Sequence, residues 1–295
     1  MFFSMLLCLY RWDGITAFDR EHATFVGLDN FRKLLGQDRF FTISLYNTAY
    51  YALVSVPISI CTAIFLANLL NTKIRGISFF RTIFYLPNVL AGVATIMMWS
   101  WLFNPEFGGF NFMLHKLGIA AFGQWTIDTV PGLHAWCQAN RISWPPLWFA
   151  DEFWAKPALI IMSLWAVGGS MLIYLAGLQN VPPHLYEVAE LDGAGRVRQF
   201  FTITLPMLTP TIFFNLVMSI IGSFQVFTQA FLMTNGGPNN ATLFYVLYLY
   251  RKAFQHFEMG YASALAWVLF AIIMALTLMV LKSSKLWVYY EGEQR

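Results

Sequence analysis

The sequence predicts an all-α, polytopic transmembrane helix bundle, on three observations. Of 295 residues, 58% are hydrophobic and 11% charged, and the mean hydropathy is +0.57, well outside the usage of soluble domains. Five stretches, 45–70, 82–103, 157–178, 207–231 and 259–281, contain no charged residue, and roughly 20 apolar residues suffice to cross a bilayer as a helix. The segments between them concentrate the charges and the Gly and Pro punctuation of turns. The expectation is five full spans plus a truncated first span, forming one membrane domain over 1–295.

Taken in order, 1–10 is apolar but only about half a span long, and it lacks the basic flank of a signal peptide. The sequence reading is that the true start lies upstream and that ten or more further apolar residues complete this span. Segment 11–44 is mixed and polar, with turns at "WDG" and "FVGLDNF" and a short helix near 30–35. The first full span contains Pro57 and the second Pro87 close to Gly92, so both helices are expected to bend. The loop 104–156 holds Trp125, Trp136, Trp144, Trp148 and Trp154, read as anchors at the level of the lipid headgroups or as contacts for an outer partner. After the fourth span, "TNGGPNNAT" at 234–242 breaks the chain ahead of a short aromatic-rich helix and the last span.

Basic residues orient the bundle. Eight of the eighteen Lys and Arg, Lys73, Arg75, Arg81, Arg196, Arg198, Lys282, Lys285 and Arg295, fall in three connections that together are about half as long as the other three. Density of this kind marks the cytoplasmic side, so 11–44, 104–156 and 232–258 face outward.

Several chemistries are excluded. The pair Gly-Lys never occurs, so the chain has no P-loop of its own. No His-Glu-x-x-His or Gly-x-Ser-x-Gly stretch exists, and the five histidines and Cys8, Cys61 and Cys137 show no ligand spacing. Neither a catalytic residue, a metal nor a cofactor is expected, and a dispersed net charge of +3 offers nothing to nucleic acid. The partner of such a surface is the lipid bilayer.

The five spans hold no ionisable cation or carboxylate, which argues against an ion-coupled carrier and for a neutral solute. They do carry hydrogen-bonding groups beside aromatics, as a sugar requires: Ser163, Trp165, Ser170, Tyr174, Ser219, Ser223 and Gln225 are the candidate pathway residues. Asn47, Asn88 and Asn215 have the same character. The competing reading is that such groups join helices to one another. Ser219 and Ser223, four apart on one helix face, are the strongest pair.

The inner connection 179–206 is the most informative. A helix of about two turns, 184–191, follows Pro182 and Pro183 and is broken by Gly193 and Gly195. A helix that short is marginal without a partner surface. Ala189, Ala194 and Gly193 permit close approach of another backbone, while Glu187, Glu190 and Asp192 meet basic groups.

The spacing Glu187-Val188-Ala189, Asp192-Gly193-Ala194 and Ile203-Thr204-Leu205-Pro206, with nine residues between Gly193 and Ile203, resembles the EAA loop of ABC importer permeases. Val188 stands where that motif usually has alanine. "FVGLDNFRKLL" at Phe25, "RGISFFRTIFYLPNVL" at Arg75, "WLFNPEFG" at Trp101, "LTPTIFFN" at Leu208, "TNGGP" at Thr234 and "GYASALA" at Gly260 are similar to the carbohydrate-uptake branch, first-permease type. Segment 117–145 matches nothing in that pattern and reads as an insertion in the outer loop.

The resemblance implies a type I importer permease in a prokaryotic inner membrane, with its short helix coupled to a cytoplasmic ATPase. The assembly it implies has a homologous second permease subunit, two ATPase subunits and an external solute-binding protein, moving a sugar or oligosaccharide inward. Import of glycerol-phosphate or another polyol is the alternative within transport, and a non-transporting scaffold the alternative outside it.

Overall fold

The computed structural model describes residues 2–16, 18, 19, 22–72, 75–90 and 92–289. Lys73 and Arg295, two of the inner basic residues, and Met1 lie outside them. The element order is α1 (Phe2–Leu7), β1 (Tyr10–Arg11), β2 (Thr24–Phe25), α2 (Asp29–Gly36), α3 (Arg39–Leu70), α4 (Ile77–Tyr85), α5 (Gly92–Leu102), α6 (Gly109–Lys116), α7 (Ile119–Thr129) and α8 (Leu133–Ala139). It continues through α9 (Glu152–Leu164), α10 (Gly168–Gln179), α11 (Pro183–Leu191), α12 (Arg196–Gln199), α13 (Leu205–Ser223), α14 (Tyr245–Tyr250) and α15 (Met259–Trp287). Strand among the described residues is confined to the antiparallel pair β1 and β2, with Tyr10 opposite Phe25.

Three runs are long and apolar enough to cross a membrane unaided: Arg39–Leu70, Arg196–Ser223 and Met259–Trp287. Two further stretches qualify only as pairs of helices with a sharp break, Ile77–Asn88 with Gly92–Leu102 and Glu152–Leu164 with Gly168–Gln179, which brings the total to as many as five. The expected number is thus met, but not the expected continuity. The second span is interrupted, not merely bent, near Pro87, whereas α3 runs on through Pro57. The fourth span was expected to reach 231; its helix ends at Ser223, and a separate π-helical turn, Ala230–Thr234, comes after it.

The chain divides into two compact units, each assembled from three separated segments. One contains 1–52, 92–161 and 223–274; the other contains 53–91, 162–222 and 275–295.

A polar seam organises the first unit. Asn47 donates through Nδ2 to the carbonyls of Asn240 (2.8 Å) and Leu243 (3.2 Å), and its Oδ1 accepts from Lys156 Nζ at 3.1 Å. The Lys156 ammonium also lies over the rings of Tyr46 and Tyr50, 5.4 and 5.1 Å from their centroids, a cation–π arrangement. Thr48 Oγ1 accepts from the Tyr245 N–H at 2.9 Å, and the Tyr245 hydroxyl donates to the Leu265 carbonyl at 2.8 Å. Asp38 caps α3, accepting from the N–H groups of Phe40 (2.9 Å) and Phe41 (3.1 Å). Its other oxygen accepts from the hydroxyls of Tyr248 and Tyr261.

The tryptophans of the outer loop divide into two groups. Trp125 and Trp136 are exposed, as anchors or contacts require. Trp148 is buried, in tilted and edge-to-face contact with Phe103, Phe110 and Trp154 at centroid distances of 4.9–5.8 Å, and its Nε1 donates to Asn111 Oδ1 at 2.9 Å. Trp144 and Trp154 donate to the carbonyls of Ala120 (2.8 Å) and Ser143 (2.9 Å). Trp148 is therefore internal packing, contrary to the sequence expectation, while Trp144 and Trp154 are half-buried with their indole N–H groups satisfied within the loop. Segment 117–145, read from the sequence as an insertion, contains α7 and α8, with the Trp144 ring so close to Gly123 that a Cβ there would fall 2.4 Å from it.

Small residues let helices approach in the second unit. Ala63 and Ala67 of α3 and Met171 and Tyr174 of α10 have no exposed surface, and Leu208 of α13 completes the cluster. A Cβ on Gly177 would sit 2.9 Å from a Leu208 methyl, so α10 and α13 pack with almost nothing between them.

Asp38 yields a prediction. Burial alone would raise its carboxyl, but the hydrogen bonds from Tyr248, Tyr261 and the Phe41 and Phe40 N–H groups outweigh that and hold it below the usual carboxylate range. Asp38→Ala removes the cap and strands two tyrosine hydroxyls, a loss of about 2–4 kcal/mol. Because the folded carboxyl is depressed, its contribution is present above the unfolded pKa of about 3.9 and disappears as pH falls through the folded value. The gap between wild-type and Asp38→Ala thermal midpoints in detergent should be constant near neutrality and shrink at the acid end. A gap independent of pH down to full protonation of the carboxylates would contradict this assignment.

Candidate functional site

Two features of the second unit combine irregular backbone with named polar groups. The first is the inner loop. Pro182 is extended (ψ 126°) and Pro183 occupies the first turn of α11, where its missing N–H costs nothing. The proline pair therefore starts the helix as well as stopping the preceding one. At the other end, the Ala194 N–H donates to the Ala189 carbonyl at 2.8 Å and the Gly193 N–H to the Glu190 carbonyl at 3.0 Å. Gly193 has φ +76°. This is a Schellman closure, which requires a left-handed residue at that position and accounts for the glycine.

The closed helix is tied to the next segment of chain. The Tyr186 and Thr204 hydroxyls lie 2.9 Å apart, and Gln199 Nε2 donates to the Ala194 carbonyl at 2.9 Å. Phe200–Thr204 is π-helical, with the Leu205 N–H reaching back to the Phe200 carbonyl. Pro206, lacking an N–H and crowding the preceding turn, stands directly after this widened segment. Glu187, Glu190, Asp192 and Gly193 are exposed, and Ala189, Ala194, Ile203, Leu205 and Pro206 are half-buried. Two apolar side chains of α11 are also uncovered, Val188 at 55% and Leu191 at 88% exposure.

The second feature is a meeting of two helix breaks. The chain leaves helical form after the 3-10 turn Leu86–Asn88 and again between Leu164 and Gly168. Gly168 lies directly on the first break: a Cβ there would be 2.0 Å from the Phe84 carbonyl oxygen. The Asn88 amide, oriented by its hydrogen-bond network, donates to the Ala166 carbonyl at 2.9 Å and accepts from the Gly169 N–H at 3.1 Å. One side chain thus satisfies both backbone groups freed at the second break.

The candidate pathway residues differ in burial and are divided between the two units. Ser163, Ser170 and Ser219 are half-buried, Trp165 and Gln225 exposed, and Ser223 buried. Tyr174 is fully enclosed in the core of the second unit, and no partner is found for its hydroxyl among the described residues. Ser223 and Gln225 fall in the first unit and the other five in the second. Asn47, Asn88 and Asn215 act on backbone, Asn215 donating to the Thr211 carbonyl at 3.0 Å. Among the described residues no group of three or more His, Cys, Asp or Glu is placed to hold a metal. The sequence reading found the short helix and its glycine. It missed Tyr186, Gln199 and Thr204, whose pairing across as many as 18 positions leaves no periodic signal.

Membrane helices broken in mid-course, with a short helix hydrogen-bonded into a polar loop between spans, are an arrangement found in transport subunits. The chain belongs to the family described as binding-protein-dependent transport system inner membrane component, which matches residues 55–286, and is a multi-pass permease of the ABC importer type. It is 40% identical over 294 residues to the probable ABC transporter permease protein YesP of Bacillus subtilis, covering 99% of this chain and 86% of that protein. It is 33% identical to the lactose transport system permease protein LacF of Rhizobium radiobacter, covering 93% and 84%. Its fold is similar to that of a bacterial ABC transporter involved in the import of the acidic polysaccharide alginate, with a TM-score of 0.74 at 23% identity over 97% of this chain and 89% of the other.

Asn88→Ala leaves the Gly169 N–H and the Ala166 carbonyl without partners in apolar surroundings, a cost of about 1–3 kcal/mol for each. The thermal midpoint of the purified variant should fall clearly below that of the wild type. An unchanged midpoint would show that Asn88 does not serve the break.

Proposed function

We propose that the chain lines the passage for an uncharged sugar or oligosaccharide, in an importer built from this subunit, a homologous second permease, two cytoplasmic ATPase subunits and an external solute-binding protein. The observation that carries the coupling is the Schellman-closed α11, which holds Val188 and Leu191 out of the core beside Glu187, Glu190 and Asp192. Apolar side chains kept in water on a rigid helix are partner surface. ATP-driven closure of the ATPase pair pulls on α11, and the bonds Tyr186–Thr204 and Gln199–Ala194 carry that displacement to the foot of α13. Uncharged spans and a relative named as a lactose permease support a neutral solute.

Gly193→Asp tests the coupling. A Cβ there meets no other atom within 4 Å, so the damage inside this chain is limited to the strain of a left-handed non-glycine residue, about 1 kcal/mol. Membrane insertion should persist, while copurification of the ATPase and substrate-stimulated ATP hydrolysis are lost. Glu187→Lys should act in the same direction, more weakly. Normal copurification and stimulation in Gly193→Asp would remove the loop from the coupling path.

Ser219 and Ser223 test the passage. Loss of a hydroxyl that meets the solute costs on the order of 1 kcal/mol, a several-fold loss of apparent affinity, with ATPase docking unaffected. Transport at limiting sugar that is unaltered in both serine-to-alanine variants would assign these hydroxyls to helix packing.

A further inference from the structure

A second site lies away from all of these residues, within the first unit. The β1–β2 hairpin, α2 and the corner leading into α15 border a half-open cleft of about 550 Å³ whose walls include Arg11, Trp12, Lys33, Phe257, Glu258 and Tyr261. That volume is in the range of small-molecule sites. In the orientation given by the basic residues, it opens to the exterior.

The walls are fixed by close backbone contacts. A Cβ on Gly260 would lie 1.9 Å from the Tyr10 carbonyl oxygen, and one on Gly14, at φ +82°, would lie 2.3 Å from Met259 Cγ. The Gly260 N–H donates to the Trp12 carbonyl at 3.3 Å. Buried Asn30 donates to the carbonyls of Cys8 (2.8 Å) and Tyr10 (3.1 Å), and the Trp12 indole N–H to that of Thr16 at 3.1 Å. The cavity is preformed.

Phe257 is the telling residue. It has φ +52°, a conformation that is an outlier for a bulky side chain, and 48% of it remains exposed. The fold accepts a strained backbone there without burying the ring, a combination characteristic of ligand sites. Among the described lining residues both signs are present, Arg11 and Lys33 with Asp13 and Glu258, and His22 stands beside them. Both cations are loosely held, Arg11 3.9 Å from Asp29 and Lys33 3.9 Å from Glu258. Aromatic faces for CH surface and charged groups of both signs for hydroxyls are together the requirements of an uncharged sugar.

We infer that this cavity is a binding site for an uncharged saccharide unit, which stacks on Phe257 and Trp12 and directs its hydroxyls to Arg11, Lys33 and Glu258. None of the candidate pathway residues lines the cavity, so the site stands independently of the proposed passage.

The test uses the full-length chain with its membrane partners in lipid nanodiscs, without the external solute-binding protein, on an array of immobilised neutral and acidic glycans. Wild-type protein should retain a set of neutral glycans. Phe257→Gly and Arg11→Ala should each weaken that retention at least fivefold, while Phe257→Tyr, which keeps the ring, preserves it. Since glycine accepts φ +52° without strain, the thermal midpoint of Phe257→Gly should equal or exceed that of the wild type. Retention that is absent, confined to acidic glycans or equal in wild type and Phe257→Gly would overturn the site, whatever the serine variants do to transport.

Discussion

In apolar surroundings a backbone N–H or carbonyl without a partner costs several kcal/mol, and most of the polar side chains inside this chain answer that demand. Asn88 serves the break before α10, Asn47 the carbonyls of Asn240 and Leu243, Tyr245 the carbonyl of Leu265, and Arg81 the last carbonyl of α3, Leu70, at 2.9 Å. At the break before α10, at the end of α3 and at the turn before α14, a side chain from another element is committed to the irregular backbone. The discontinuities are therefore fixed points of the fold, and they mark where helices can end without unravelling.

That constraint also explains which features could be read in the sequence. Absence of charge located the membrane stretches, and punctuation located the turns, so the number of stretches, α2, α11 and the aromatic helix α14 were all legible. Facing was not. A stretch that is apolar on every side carries no amphipathic stripe, so nothing in it distinguishes a lipid-facing phenylalanine from the enclosed Tyr174. The asparagines looked alike as hydrogen-bonding groups, and only the three-dimensional arrangement shows them bound to backbone. Trp148 was misread for the related reason that an indole in an outer loop suits an interface until Asn111 is seen to meet its N–H. The end of α13 at Ser223 has no proline behind it, and no sequence signal accounts for it.

The inner loop is the contrasting case. Its polar composition left the glycine, the acids and the proline pair visible as local signals, because a Schellman closure depends on five or six consecutive residues. The tie from Tyr186 to Thr204 spans 18 positions and is correspondingly silent. Local chemistry identified α11, and hydrogen bonding ties it to the segment that leads into α13.

The interleaving of the two units has a consequence for how the protein is made. Asn47 bonds to a carbonyl 196 residues downstream, and Asp38 accepts from a tyrosine 223 residues downstream. During synthesis α3 enters the bilayer with its polar seam unanswered and must wait until nearly the whole chain has left the ribosome. At about 5–20 residues per second that interval lasts on the order of ten seconds or more. The polar seam of α3 is thus completed only once α14 and the start of α15 have been made.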